Sequence, residues 1–239
     1  MISASLSGHD LHVSRRYQLY GRRKAKPLRP RQRKLVEGLL PSLRIDLPPE
    51  GKFQPQAIFS DAPADIWLEI GFGGGEHLAE LAAAHPRIGF IGAEPFLNGV
   101  AKLLLAIADK HLCNIRILDS DVRPLLDRLS SASIGRIYVL YPDPWPKRRH
   151  AKRRLLDQAT VLEMQRVMKP GAELRLATDS PDYAAWALAT LLRHGGFEWL
   201  AETARDWREP PSGWTVTRYE LKARGHGRTP LYFAFRRRP

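Results

Sequence analysis

The sequence predicts an α/β fold built on a seven-stranded, mostly parallel sheet with helices on both faces. Three observations carry the prediction. From about residue 65 onward, short β-rich runs alternate with segments of helical spacing, the signature of βαβ units and of a parallel sheet covered on both sides. The first of these runs opens through a glycine-rich turn into the first helix, the place where such sheets meet ligands. The 239 residues suffice for one sizeable core plus an arm.

In order, residues 1–60 form a basic N-terminal extension and residues 61–239 the α/β domain. Between Arg15 and Lys34 there are ten Lys or Arg in twenty positions and no acid, which reads either as a solvated, mobile segment or as one that contacts phosphates. The strands follow as "IWLEIG", "IGFIGAE", "IRILDSD", "RIYVLYP" and "ELRLATD", separated by helices in "EHLAELAAAH", "FLNGVAKLLLAIADKH" and "LLDQATVLEMQRVMK". A further helix, "PDYAAWALATLLRHGG", has Pro181 in its first turn and Gly195 or Gly196 at its end. "FEWLAET" and "TPLYFAFRR" supply the last two strands. No internal repeat is present.

Charge narrows the partners. The 38 Lys and Arg against 25 Asp and Glu leave +13, more than solubility requires, and point to a polyanion, nucleic acid before membrane. The basic segments interleave with Pro and Gly and lack the sustained apolar face of an interfacial helix. Cys113 is the only cysteine, so neither an intrachain disulfide nor a multi-cysteine metal site can form; the eight histidines show no metal spacing, and no metal is expected. The start "MISASLSGHD" lacks a cationic front before an apolar block, and no run approaches the roughly 18 apolar residues that span a bilayer. A cytoplasmic, membrane-free protein is expected.

In "LEIGFGGGEH", Gly71, Gly73 and Gly75 allow positive backbone angles and close approach to a ligand. A dinucleotide fingerprint would need glycine at 71, 73 and 76, but position 76 is Glu, so the match is to G-x-G-x-G. Glu94 ends the second strand, where an acid can take both ribose hydroxyls, or is a solvated strand end. Asp121 ends the third, as acceptor for an adenine amino group or as a helix N-cap. Glu69 lies two residues before the first glycine. These acids ring one crevice at consecutive strand ends. Such a crevice would repel pyrophosphate and suits S-adenosylmethionine, whose sulfonium and ammonium are cationic. Asp143 follows the fourth strand between Pro142 and Pro144, which restrict the backbone on both sides of it.

At this point the sequence resembles the bacterial tRNA (guanine-N7)-methyltransferases, of the Rossmann-like class I S-adenosylmethionine-dependent fold. The resemblance rests on "EIGFGGGEHL", Glu94 with Pro95, "PDPWPKRRHAKRR", "ATD" at 177–179 and "TRYE" at 217–220. It implies transfer of a methyl group to the guanine at position 46, in the variable loop of tRNA. It implies cofactor roles for Glu69, Gly71, Gly73, Glu94, Asp121 and Asp143, with Asp143 also catalytic. It assigns Lys147, Asp179, Thr217, Arg218, Tyr219 and Glu220 to substrate, and Arg148, Arg149, Lys152, Arg153 and Arg154 to RNA. Tyr141 stands where the family more often has Phe, and the N-terminal arm falls in its variable part.

The residues support that chemistry independently. Guanine N7 carries an exposed lone pair, so Asp143 would orient and stabilise charge and would not act as a base. The six cations from Lys147 to Arg154 would hold phosphates outside the cleft, or form the solvated start of the next helix, a position that opposes the macrodipole. Glu220 can accept from guanine N1–H and N2 together, or close a capping box with Thr217. Asp179 is either a substrate residue or an N-cap. Trp145 either stacks on a base or anchors its loop. The competing readings are a nicotinamide-dependent dehydrogenase, against which Glu76 counts, an amino-group methyltransferase, which would want Pro-Pro after the acid, and a non-enzymatic RNA-binding protein.

Overall fold

The computed structural model describes residues 26–239. Seven strands, β1 (Asp65–Ile70), β2 (Ile88–Ala93), β3 (Ile115–Leu118), β4 (Ile134–Leu140), β5 (Met168–Thr178), β6 (Phe197–Trp199) and β7 (Leu231–Arg237), form one sheet in the order β3-β2-β1-β4-β5-β7-β6. The five strands from β3 to β5 pair in parallel, and β7 runs antiparallel to both β5 and β6. The chain winds outward from β1 to β3, then returns to lay β4 on the other side of β1. That reversal opens a crevice at the carboxyl ends of the central strands.

Helices α1 (Pro30–Gly38), α2 (Leu40–Leu43), α3 (Glu76–Ala84), α4 (Leu97–Lys110), α5 (Arg123–Arg128), α6 (Gln158–Val167), α7 (Pro181–His194), α8 (Arg205–Arg208) and α9 (Arg218–Gly225) flank the sheet, with 3-10 turns at Pro55–Ile58 and Arg148–Arg153. Both sheet faces are covered. Leu78 of α3 and Val100, Leu103, Leu104 and Ile107 of α4 pack over Phe90, Ile115 and Ile117. Leu125 and Leu126 of α5, Met164 of α6 and Leu191 of α7 pack on the opposite face over Ile66, Leu68 and Ile137. The spacing of the α4 residues at i, i+3, i+4 and i+7 is the one apolar stripe that a surface helix needs. Helix α6 begins three residues later than the apolar pattern suggests. The Asp157 carboxylate accepts from the Thr160 amide at 2.7 Å and caps the helix there, while Leu156 before it is fully buried in the core.

The described part of the basic extension packs into the domain. Leu40, Leu43 and Ile45 are buried; the Ile45 amide donates to Ile117 O at 2.8 Å, extending the sheet edge beyond β3, and Arg44 pairs with Asp119 at 2.7 Å. Residues 1–25 of that extension, including Arg15, Arg16, Arg22, Arg23 and Lys24, lie outside the described residues. Among the described residues no helix is long and apolar enough to cross a membrane.

Candidate active site

The glycine turn is built from its own backbone and one carboxylate. Gly71, Gly73 and Gly75 all have positive φ, 74°, 56° and 77°, a region that L side chains avoid. The Gly71 amide continues the sheet by donating to Ala93 O at 2.8 Å. The Gly73 amide donates to Glu94 Oε2 at 2.8 Å, and the Phe96 amide donates to Glu94 Oε1 at 2.9 Å. Glu94 therefore ties the turn after β1 to the start of α4. Burial pushes its pKa up, the two amide bonds oppose that, and the like charges of Asp143 and Glu69 add to it. Each carboxylate oxygen keeps a second lone pair for a ligand hydroxyl.

Gly99, in the first turn of α4, has no counterpart among the expected site residues. A Cβ there would overlap the Gly73 carbonyl oxygen, so this glycine is what lets the helix approach the turn. A lone glycine inside a helical pattern was the available signal, and it reads ambiguously.

Gly71, Gly73, Glu94, Asp121, Asp143 and Tyr219 line one cleft of about 390 Å³ at the carboxyl edge of the sheet. Asp143 stands at its mouth, exposed, with its pKa raised where the cleft walls remove solvent. The backbone holding it is strained: Tyr141 and Trp145, two and two residues away, have φ of 51° and 41°, which is unfavourable for non-glycine residues and persists only where surroundings enforce it. The Tyr141 amide donates to Ala177 O at 2.7 Å. On the far side, Arg154 donates through Nε to Pro144 O at 3.0 Å and through Nη2 to Trp145 O at 3.4 Å. The Trp145 indole both lines the cleft and packs beneath Arg153 and against His150, so the two expectations for it are compatible.

Other expected residues sit differently. Glu69 is 2% exposed, does not line the cleft and bonds His77 Nδ1 at 2.7 Å; it lies one layer behind the turn, and His77, unassigned from sequence, is its partner. Asp121 lines the cleft, but its oxygens already accept from the Arg123 amide, Nε and Nη2 at 2.9, 2.9 and 2.6 Å, so an adenine amino group would share them. Lys147, Arg148, Arg149 and Lys152 are exposed on or just before the turn Arg148–Arg153, which Arg154–Asp157 separate from α6, so the helix-dipole argument does not apply to them. Arg154 departs from its expected place among the RNA-facing cations: it is 7% exposed and its guanidinium stacks on Trp186 at 4.9 Å.

Thr217 caps α9 by accepting from the Glu220 amide at 3.1 Å. Glu220 is fully buried and does not complete the box. Its Oε2 accepts from Trp214 Nε1 at 2.7 Å, and its Oε1 accepts from Arg224 Nη2 at 2.7 Å and the Tyr232 hydroxyl at 2.8 Å. A guanine edge could reach it only by displacing these donors. Asp179 is not an N-cap: Ser180 caps α7 by accepting from the Tyr183 amide, and Asp179 pairs with Arg228 at 2.8 Å. Arg218 is exposed, and Tyr219 leans over the glycine turn, where a Cβ on Gly73 would come within 2.8 Å of its ring.

The chain is similar to known methyltransferases. A family model described as "Putative methyltransferase" matches residues 63–232. The tRNA (guanine-N(7)-)-methyltransferase of Nitrobacter hamburgensis is 50% identical over 218 residues, 91% of this chain and 86% of that protein. The enzyme of the same name from Agrobacterium fabrum is 50% identical over 222 residues, 92% of this chain and 94% of that protein. Among solved structures, the 16S rRNA methyltransferase KamB superposes with a TM-score of 0.51 at 17% identity, covering 76% of this chain and 95% of its own; this shows a common fold and nothing further.

Proposed function

Because the chain belongs to the tRNA (guanine-N(7)-)-methyltransferase family, we propose that it methylates N7 of the guanine at position 46 of tRNA, in the cytoplasm. The cofactor is S-adenosylmethionine, which supplies an electrophilic methyl on a cationic sulfur. The observation that carries the reading is Asp143, on a backbone held from both sides, at the mouth of an acid-lined cleft next to an exposed basic turn. The cleft fits such a cofactor: Glu94 holds the glycine turn and keeps acceptor capacity, and Gly71 and Gly73 line the cleft without side chains.

Guanine N7 has no proton to lose, so the protein needs no base. Its task is alignment, from which roughly 7–11 kcal/mol of barrier reduction can come, and negative potential where the purine becomes cationic. Asp143 is placed for both. The exposed cations Lys147, Arg148 and Arg149 are suited to phosphates around the base. Tyr219, which forms a lip of the cleft, and its exposed neighbour Arg218 are suited to the nucleoside itself. Glu220 supports that lip from inside through Trp214, Arg224 and Tyr232.

The test is methyl transfer from radiolabelled cofactor to unmodified tRNA, with the product nucleoside identified. 7-Methylguanosine is expected, and a tRNA carrying 7-deazaguanine at the target should bind and give no product. Asp143→Asn should lower the single-turnover rate at saturating cofactor and tRNA by about 10²-fold or more; an unchanged rate would remove Asp143 from the reaction.

A further inference from the structure

The basic turn Arg148–Arg153 is a ridge with a hollow on each side. Arg153 lines the cofactor cleft, whereas its neighbour Lys152 lines a second groove of about 520 Å³. Consecutive side chains on a 3-10 turn diverge by about 120°, which is why adjacent cations face different hollows. The outer wall of the groove is α7, which contributes Trp186, Thr190 and Arg193, spaced i, i+4 and i+7 on one helix face. Gln158, at the start of α6, also lines it.

We propose that this groove is a second RNA seat, holding the sugar-phosphate backbone of tRNA on the far side of the ridge from the target base. The inference rests on the tRNA reading above. A cation in the last turn of α7 is by itself explained by the helix dipole. Arg193, however, shares its hollow with Lys152, which belongs to a different element, and both are exposed. The acid in the lining, Asp157, is engaged in capping α6.

The remaining groups suit a nucleic acid. The Thr190 hydroxyl donates to Trp186 O at 2.8 Å, so its oxygen still accepts, as a ribose hydroxyl would require. The Trp186 N–H donates to Leu156 O at 3.1 Å and the Arg154 guanidinium lies against its ring, so the indole is a fixed wall against which a sugar or base can pack. Two cations flanking a hydroxyl, an amide and an indole recognise a polyanion with sugars, and the net charge of +13 favours that partner over a peptide or a second copy of the chain.

The test is tRNA binding by Arg193→Glu across a salt series, with Arg87→Glu as control. Arg87 is exposed just before β2 and lines neither the cleft nor the groove. Arg193→Glu should weaken tRNA binding by about tenfold and make the slope of log Kd against log salt shallower by about one. Cofactor affinity and the single-turnover rate at saturating tRNA should not change. The proposal fails if affinity and slope equal those of the parent and of Arg87→Glu, or if the substitution alters the sedimentation of the protein and leaves tRNA binding intact. Should the parent itself form no 7-methylguanosine, the functional reading fails instead, and the two failures are told apart by that first measurement.

Discussion

Arg153 and Arg154 are neighbours with the same side chain and different tasks. Arg153 stacks on Trp145 and lines the cleft; Arg154 turns inward, packs on Trp186 and holds two carbonyls of the loop that carries Asp143. A planar fork is needed for that grip, and an ammonium cannot reproduce it. Arg154→Lys, which keeps the charge, should therefore lower the single-turnover rate by about tenfold or more through misplacement of Asp143, on the scale that small misalignments cost. It should leave the salt slope of tRNA binding unchanged, whereas Arg153→Ala should reduce that slope by about one. If Arg154→Lys changed the slope and spared the rate at saturating tRNA, its place would be on the RNA and not on the loop.

Between elements, the decisive contact is α4 against the glycine turn. Gly99→Ala would thrust a methyl into the Gly73 carbonyl, and because that neighbour is backbone, either the helix or the turn must move. Calorimetry should show cofactor affinity weakened by at least about tenfold with the fold retained by circular dichroism; unchanged affinity would show that the turn does not contact the cofactor. At this scale the sequence was informative where periodicity and turn chemistry act locally. The seven strands, the glycine turn and the proline-framed acid could be read because each is a contiguous pattern. The internal network of Glu220 could not, since only Arg224 stands at helical i,i+4 spacing from it while Trp214 and Tyr232 come from other elements, and a T-x-x-E pair looks the same whether the acid turns back to the cap or into the core. Nor could the inward turn of Arg154, because six cations in eight residues give no clue to which one is buried. The integration of Leu40, Leu43 and Ile45 was obscured by the charge around them.

Across the described residues, charge is sorted by place: Glu94, Asp121 and Asp143 line the cleft at the carboxyl edge of the sheet, and Lys147, Arg148, Arg149 and Lys152 stand exposed beside it. The sorting makes a prediction about pH. Glu94 and Asp143 both have pKa values raised, chiefly by loss of solvent, so they lose their charge at a higher pH than ordinary carboxyls. Their ionised forms are the ones that attract a sulfonium, and binding of that cation favours ionisation. Affinity for S-adenosylmethionine is thus complete above the raised values and falls as pH drops through them. S-adenosylhomocysteine has no sulfonium charge, so its affinity should fall less. Calorimetric titrations with both ligands between about pH 8 and about pH 5 should show any preference for the donor shrinking as pH is lowered, by at most tenfold per pH unit for each proton taken up. Asp143→Asn should flatten that trend, whereas Glu94→Gln, at the ribose hydroxyls, should weaken both ligands alike. A ratio of affinities independent of pH in the parent protein would mean that Asp143 does not face the sulfonium.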